Sequence, residues 1–140
     1  MKVGLRAIDP WVNVNMGDQV PEEFLVRVKE DYFHAGAEFF KSLTIEETLE
    51  AMDKAGVEKA ILAVDAEHPG ERVLEFPAVH ADRFALAAHL DPRRGMQAVR
   101  ALEALFNDQP VVMAKVVPFL MDLPPDDRVY YPVYAKCIEL

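Results

Sequence analysis

Motifs of several common enzyme classes are missing from this sequence. It has no Gly-x-Gly-x-x-Gly, no phosphate-binding loop, no Cys-x-x-Cys, no His-Glu-x-x-His and no Gly-x-Ser-x-Gly. Nucleotide binding and serine hydrolysis therefore lack their usual sequence support. A single cysteine, Cys137, cannot form an internal disulfide, and the opening MKVGLRAIDP has no apolar core for a signal peptide. We therefore expect a cytoplasmic protein.

Basic residues are scarce relative to acidic ones, and long apolar runs are absent. The 15 Lys and Arg residues against 24 Asp and Glu give a net charge of -9, which repels nucleic-acid phosphates and anionic lipid. No apolar run approaches the roughly 20 residues of a membrane span. We therefore expect a small-molecule substrate, no nucleic-acid partner and no membrane partner. The 140 residues, 51% of them hydrophobic, suffice for one folded domain.

Short apolar runs alternate with helical patterns along the chain. Strands are predicted at residues 3–8, 60–64, 84–88 and 111–117, and the first is expected to end before Asp9-Pro10. Helices are predicted at residues 43–56, 71–81 and 96–106 and from residue 129 onward. Thr44 and Glu47 have the spacing of a capping box, and Pro77 is expected to bend or split the second helix. A loop is expected at residues 11–20 and a helix at 21–33, and a helical insertion is expected at about 14–42.

Strands that alternate with helices of this length predict right-handed crossovers and a parallel sheet. Four such units amount to about half of a (β/α)₈ barrel, which typically needs ~250 residues. The last unit has no Gly, Asn or Pro stop signal, so we expect residues 1–140 to be the N-terminal half of a longer barrel. Its uncovered inner face is expected to drive self-association. A complete small flavodoxin-like domain that binds a ligand at its strand ends is an alternative.

Candidate functional residues come from the carboxyl ends of the predicted strands, where parallel α/β folds bind ligands. These ends are residues 9–13, 65–68 and 89–91 and Lys115. Structural roles compete with functional ones, because Asp91 before Pro92 is a ready helix N-cap and His89 fits a hydrogen-bonded core histidine. Lys115 is the most informative, because a lysine inside an apolar strand must reach solvent or a charged partner. On the inner face of a barrel it would point at a ligand, and on an edge it would extend to solvent.

The sequence resembles the amidohydrolase-related family, which includes aminocarboxymuconate semialdehyde decarboxylase and related metal-dependent TIM-barrel enzymes. The resemblance begins at Ile8-Asp9 and continues through Glu46-Glu47-x-Leu49-x-x-Met52-Asp53-x-Ala55-Gly56-Val57-Glu58-Lys59-Ala60, His80-Ala81-Asp82-Arg83-Phe84 and Leu90-Asp91-Pro92. It ends with Asp126-Asp127-x-x-x-Tyr131-Pro132-x-Tyr134-x-x-Cys137-x-Glu139-Leu140 and covers essentially the whole chain. It implies a partial (β/α)₈ barrel whose full-length parent hydrolyses or decarboxylates a small acid or amide, with the 140-residue chain itself inactive.

The strand-one signature of that family is Asp-x-His-x-His, in which two imidazoles hold a divalent metal such as zinc. Asp9 matches the aspartate, whereas Trp11 and Asn13 stand at the two histidine positions, so the strand-one metal ligands are replaced here. We expect Asp9 and Lys115 to be catalytic, Lys115 by binding a carboxylate or polarising a carbonyl, and Trp11, Asn13 and His89 to bind substrate. A non-catalytic half-barrel that acts through self-association is the alternative function.

Overall fold

The structure is a computed structural model that describes residues 6–14, 28–34 and 41–140. In these ranges the strands are β1 (Ala7–Val12), β2 (Val57–Asp65), β3 (Phe84–His89) and β4 (Val111–Lys115). The α-helices are α1 (Ile45–Ala55), α2 (Glu71–Val79), α3 (Met96–Asp108), α4 (Pro118–Met121) and α5 (Tyr131–Glu139). Short 3₁₀ turns cover Pro92–Arg94 and Arg128–Tyr130. Most of the predicted helix at 21–33 lies outside the described residues, and Val28–Tyr32 within it forms a π-helical turn.

The described strands form one parallel sheet in the order β1-β2-β3-β4. The predicted parallel α/β architecture is therefore confirmed. A flavodoxin-like sheet reverses its strand order at a switch point, and the described sheet has no such reversal. The flavodoxin-like alternative is therefore wrong, whereas strands that neighbour one another in chain order are those of a (β/α)₈ barrel.

Helices cover one face of this sheet and leave the other face partly open. Alternate residues of β2 and β3 are at most 3% exposed beneath the helices, namely Ala60, Leu62, Val64, Phe84, Leu86 and Ala88. Because side chains alternate along a strand, the residues between them lie on the opposite face. We call this opposite side the open face; by register it carries Ile61, Ala63, Asp65, Ala85, Ala87, His89, Met113 and Lys115.

Helix α1 begins and ends as its sequence predicts. The backbone N–H of Glu47 donates to the Thr44 hydroxyl at 3.1 Å, and the backbone N–H of Thr44 donates to the Glu47 carboxylate at 2.8 Å. This exchange is the predicted capping box. Gly56 then ends the helix with φ 73°, a left-handed conformation that glycine adopts without strain.

Strand β1 differs from its prediction. It was expected to stop before Asp9-Pro10, yet it continues to Val12, which brings Trp11 from a predicted loop into the strand. Proline is tolerated on an edge strand or at a bulge, and β1 offers both, because its register with β2 shifts between Asp9 and Val12. Residues 3–5 of the predicted strand lie outside the described ranges.

Two smaller expectations differ from the structure. Helix α2 runs unbroken through Pro77, so the proline does not split it. Strand β4 ends at Lys115 instead of residue 117, which puts the lysine at the strand end and not in its middle. Among the described residues, no helix has both the length and the apolar character to cross a bilayer.

Candidate functional site

Three polar side chains lie abreast at the carboxyl ends of neighbouring strands. Asp65 is in register with His89, and His89 is in register with Lys115. Each of the three is the last residue of its strand, on the open face. We call these three residues the strand-end row. Asp65 belongs to the strand-end candidates 65–68 of the sequence analysis, which assigned it no catalytic or binding role.

Lys115 reaches across the open face to Trp11. Its ammonium nitrogen lies 3.7 Å from the centroid of the Trp11 ring system. Since β1 and β4 are the two outer strands of the described sheet, this contact requires the sheet to curl until its edges approach each other. Val12 is in register with the buried Leu62, so the preceding Trp11 faces the open side. A cation–π contact of this kind contributes about 0.5–1 kcal/mol at an exposed site.

The charge of Lys115 has no counter-ion within the described part of the chain. The ammonium contacts the Trp11 ring, and none of the described carboxylates lies within ion-pairing distance. The side chain is half-buried, and burial lowers the pKa of its ammonium from the ordinary lysine value. An ammonium that is partly desolvated and unpaired is a site where a ligand anion gains a strong, charge-assisted hydrogen bond.

His89 is the member of the strand-end row whose charged form is disfavoured. Burial lowers the pKa of its imidazole, and the positive charge of Lys115 lowers it further, while Asp65 and Asp91 act in the opposite direction. Its Nε2 atom is buried and has no hydrogen-bond partner among the described residues. A buried polar atom without a partner is destabilising, so a hydrogen-bond partner at this atom would stabilise the folded protein.

The carboxylates near the row are wholly or partly engaged by their own neighbours. Asp65 accepts hydrogen bonds from the backbone N–H groups of Glu67 and His68, at 2.8 and 2.9 Å. Asp91 pairs with Arg93 at 2.7 and 2.9 Å and caps the turn that follows, which confirms its predicted capping role. The hydrogen bond from the Arg93 side chain holds the pKa of Asp91 below its ordinary value.

Asp9 and Asn13 lie apart from the strand-end row. Asp9 accepts a hydrogen bond from the backbone N–H of Trp11 at 3.0 Å and is in register with Ala60, a residue that faces the helices. Asn13 is exposed just after β1. No hydrogen bond or ion pair connects either residue to the row within the described structure. Of the five candidate residues, the structure therefore brings together Trp11, His89 and Lys115.

The metal that the family resemblance implies does not fit these residues. The described residues contain no group of three or more His, Cys, Asp or Glu side chains that could hold an ion. At the end of β1, the Trp11 indole has no free lone pair to donate, and the Lys115 ammonium already covers its ring. The donor set and the local positive charge therefore both disfavour a divalent cation there.

No protein-family model and no curated protein matches this sequence. Solved structures do match it. They include 4-oxalomesaconate hydratase from Rhodopseudomonas palustris, with 18% identity and a TM-score of 0.60 over 95% of this chain and 49% of that one. The fold is half of a TIM barrel. A 2,6-dihydroxybenzoate decarboxylase in complex with 2,6-dihydroxybenzoate gives 22% identity and a TM-score of 0.59, covering 95% of the half-barrel and 47% of the decarboxylase.

A third match is a dihydroxybenzoic acid decarboxylase from Polaromonas sp. JS666 with bound manganese and an inhibitor. It shares 20% identity and a TM-score of 0.55 over 95% of the half-barrel and 46% of its own chain. These neighbours are TIM-barrel enzymes of the amidohydrolase superfamily. The half-barrel thus spans about half the length of the solved chains it matches, and the predicted partial barrel is confirmed.

Proposed function

We propose that the half-barrel belongs to an enzyme that hydrolyses or decarboxylates a small carboxylic acid or its amide, and that Trp11, His89 and Lys115 bind the carboxylate. The observation that carries this proposal is the unpaired ammonium of Lys115, held on the Trp11 ring at the edge where barrel enzymes bind ligands. The neighbours support the substrate class, because oxalomesaconate and dihydroxybenzoate are carboxylate compounds by name.

Each residue has a distinct task in this site. Lys115 donates a charge-assisted hydrogen bond to the acid, and the Trp11 ring restricts where its flexible side chain lies. His89, whose pKa is lowered by burial, would give a second ligand oxygen a hydrogen bond at Nε2. Asp9 and Asn13 remain proposed site residues at the end of β1, where they would shape the pocket around Trp11.

We further propose that residues 1–140 are the N-terminal half of the barrel, with an insertion at about 14–42, and that the protein is cytoplasmic. An enclosed site requires four further strands beside the four described ones. The 140-residue chain is therefore expected to bind the acid weakly and to release no product from it.

Ligand binding by the 140-residue protein tests this proposal. Saturation-transfer NMR is measured with benzoate, with 2,6-dihydroxybenzoate and with benzamide, which has the shape of benzoate but no charge. We expect transfer to both acids, little transfer to benzamide, and loss of acid binding in Lys115→Met. Lys54→Met, which removes an exposed lysine at the far end of α1, should bind as the wild type does. Equal binding of benzoate and benzamide, or unchanged binding in Lys115→Met, would contradict the proposal.

Self-association is a second candidate function, favoured by exposed apolar residues on the two outer strands. Ile8 on β1 and Val112 on β4 are each 61% exposed. A second copy would place its β1 beside β4 of the first, and eight strands would then be present. Light scattering across a concentration series should show a dimer that Val112→Lys weakens. A monomer at every concentration would rule this function out.

A further inference from the structure

The strand-end row carries the ammonium group of Lys115 and does not offer the set of ligands that a divalent metal ion needs. A divalent ion needs carboxylates or imidazoles whose lone pairs are available. Asp65 accepts two backbone hydrogen bonds, and Asp91 is bound by Arg93. Glu67, behind the row, accepts from Arg94 at 2.6 Å and from Gln97 at 2.9 Å. Asp91 and Glu67 are thus engaged by arginines, and Asp65 keeps only its Oδ2 atom without a hydrogen bond, whereas the Lys115 ammonium has no carboxylate partner among the described residues.

The position of this ammonium matters as much as its charge. It lies over Trp11, at the end of β1. In the amidohydrolase-related family that this sequence resembles, the position of Trp11 is held by a histidine ligand of a divalent metal. A positive charge fixed there repels a second cation. The indole cannot act as a ligand but does stabilise the ammonium through its ring face.

We propose that the Lys115 ammonium, held on the Trp11 ring, occupies the place of a divalent cation and supplies the site's positive charge without a metal. The structural pairing of an indole at the metal-ligand position with a lysine from the opposite edge strand carries this inference. Trp11 and Lys115 act as a unit. Without Lys115 the Trp11 ring has no ammonium over it, and without Trp11 the position of the ammonium is no longer restricted. Binding of small anions is then independent of metal.

The inference rests on the site of the proposed function but not on which acid is converted. Its test is metal binding, which is separate from acid binding. Mn²⁺ is titrated into the wild type, with electron paramagnetic resonance reporting the free ion. Trp11, the single tryptophan of the sequence, reports occupancy of the site through quenching of its emission.

The decisive variant is Lys115→Glu, which turns the row into Asp, His and Glu donors. Changes in outer partners alone alter metal affinity by about 10–100-fold, so a gained carboxylate ligand should tighten Mn²⁺ binding by about tenfold or more. Lys54→Glu makes the same charge change on an exposed part of α1 and is the matched control. We expect no stoichiometric site in the wild type or in this control.

Two results would overturn the inference. One is a stoichiometric Mn²⁺ site in the wild type that quenches Trp11. The other is a folded Lys115→Glu variant, checked by circular dichroism, that binds Mn²⁺ no better than Lys54→Glu. If Lys115→Glu does not fold, the wild-type titration decides alone. The two tests fail independently. A Mn²⁺ site in the wild type would contradict this inference and leave acid binding intact. Equal binding of benzoate and benzamide would contradict the proposed function and not this inference.

Discussion

The ammonium nitrogen of Lys115 lies 3.7 Å from the centroid of the Trp11 ring system, although the two residues belong to opposite outer strands of the described sheet. The sheet therefore curls until its outer strands approach each other, and Trp11 and Lys115 form the one lysine–indole pair of the described open face. The proposed carboxylate site lies on this open face, opposite the face that the helices cover.

Replacing Lys115 by Met should leave stability nearly unchanged. The lost cation–π contact is expected to cost about 0.5–1 kcal/mol. Relief from burying an ammonium offsets this loss, because burial disfavours the charged form. Urea unfolding followed by far-ultraviolet circular dichroism should therefore give a free energy of unfolding within about 1 kcal/mol of the wild type. A loss well above about 2 kcal/mol would show that Lys115 is structural instead of functional.

Trp11 emission should report the titration of Lys115. The folded protein lowers the pKa of this lysine from 10.5, so its deprotonation occurs at a lower pH than that of an exposed lysine. The stability that the neutral form contributes is present above the unfolded-state pKa and is lost as pH falls through the folded-state pKa. We expect an emission change in this window that is absent in Lys115→Met, which retains all tyrosines. An identical alkaline transition in both proteins would contradict the contact.

His89 should make the protein less stable in mild acid. Because burial lowers its folded-state pKa below 6.5, stability is present above pH 6.5 and is lost as pH falls through the folded-state value. His89→Asn removes this contribution while the three other histidines remain. Thermal unfolding between about pH 7 and pH 5 should thus show a shallower decline for the variant than for the wild type. Parallel declines would show that His89 does not titrate as its surroundings require.

Thr44→Ala should weaken α1 without affecting ligand binding. The substitution removes the hydroxyl that accepts the Glu47 N–H at 3.1 Å, and loss of such a cap costs about 1 kcal/mol. Thr44→Ser keeps the hydroxyl and should retain most of the stability. Urea unfolding checks both variants, and benzoate binding should match the wild type. Equal stability of the alanine and serine variants would mean that the capping box contributes little.

Local patterns were enough to predict most of the fold. The capping box at Thr44, the left-handed Gly56 and the alternation of buried residues in β2 and β3 depend on neighbours close in sequence. Strand β1 was predicted incorrectly at Pro10, because whether a proline disrupts a strand depends on its place in the sheet, and edge position is a tertiary property.

The candidate site was predictable only in part. Lys115 and His89 were identifiable because polar residues that close apolar runs fall at strand ends. Their pairing in register requires the alignment of separate strands, which the sequence does not display. The contact with Trp11 depends on the curl of the whole sheet, and Trp11 was expected in a loop. The residue types of the site could therefore be identified from the sequence, but their arrangement could not, because it depends on strand register and sheet curvature.

A crystal structure of the 140-residue protein with benzoate tests the central claim most directly. The account predicts a benzoate carboxylate within hydrogen-bond distance of the Lys115 Nζ atom, with the ammonium still on the Trp11 ring and no metal needed for binding. Benzoate bound instead at Arg93 and Arg94, or a Lys115 side chain turned away from both Trp11 and the ligand, would contradict it.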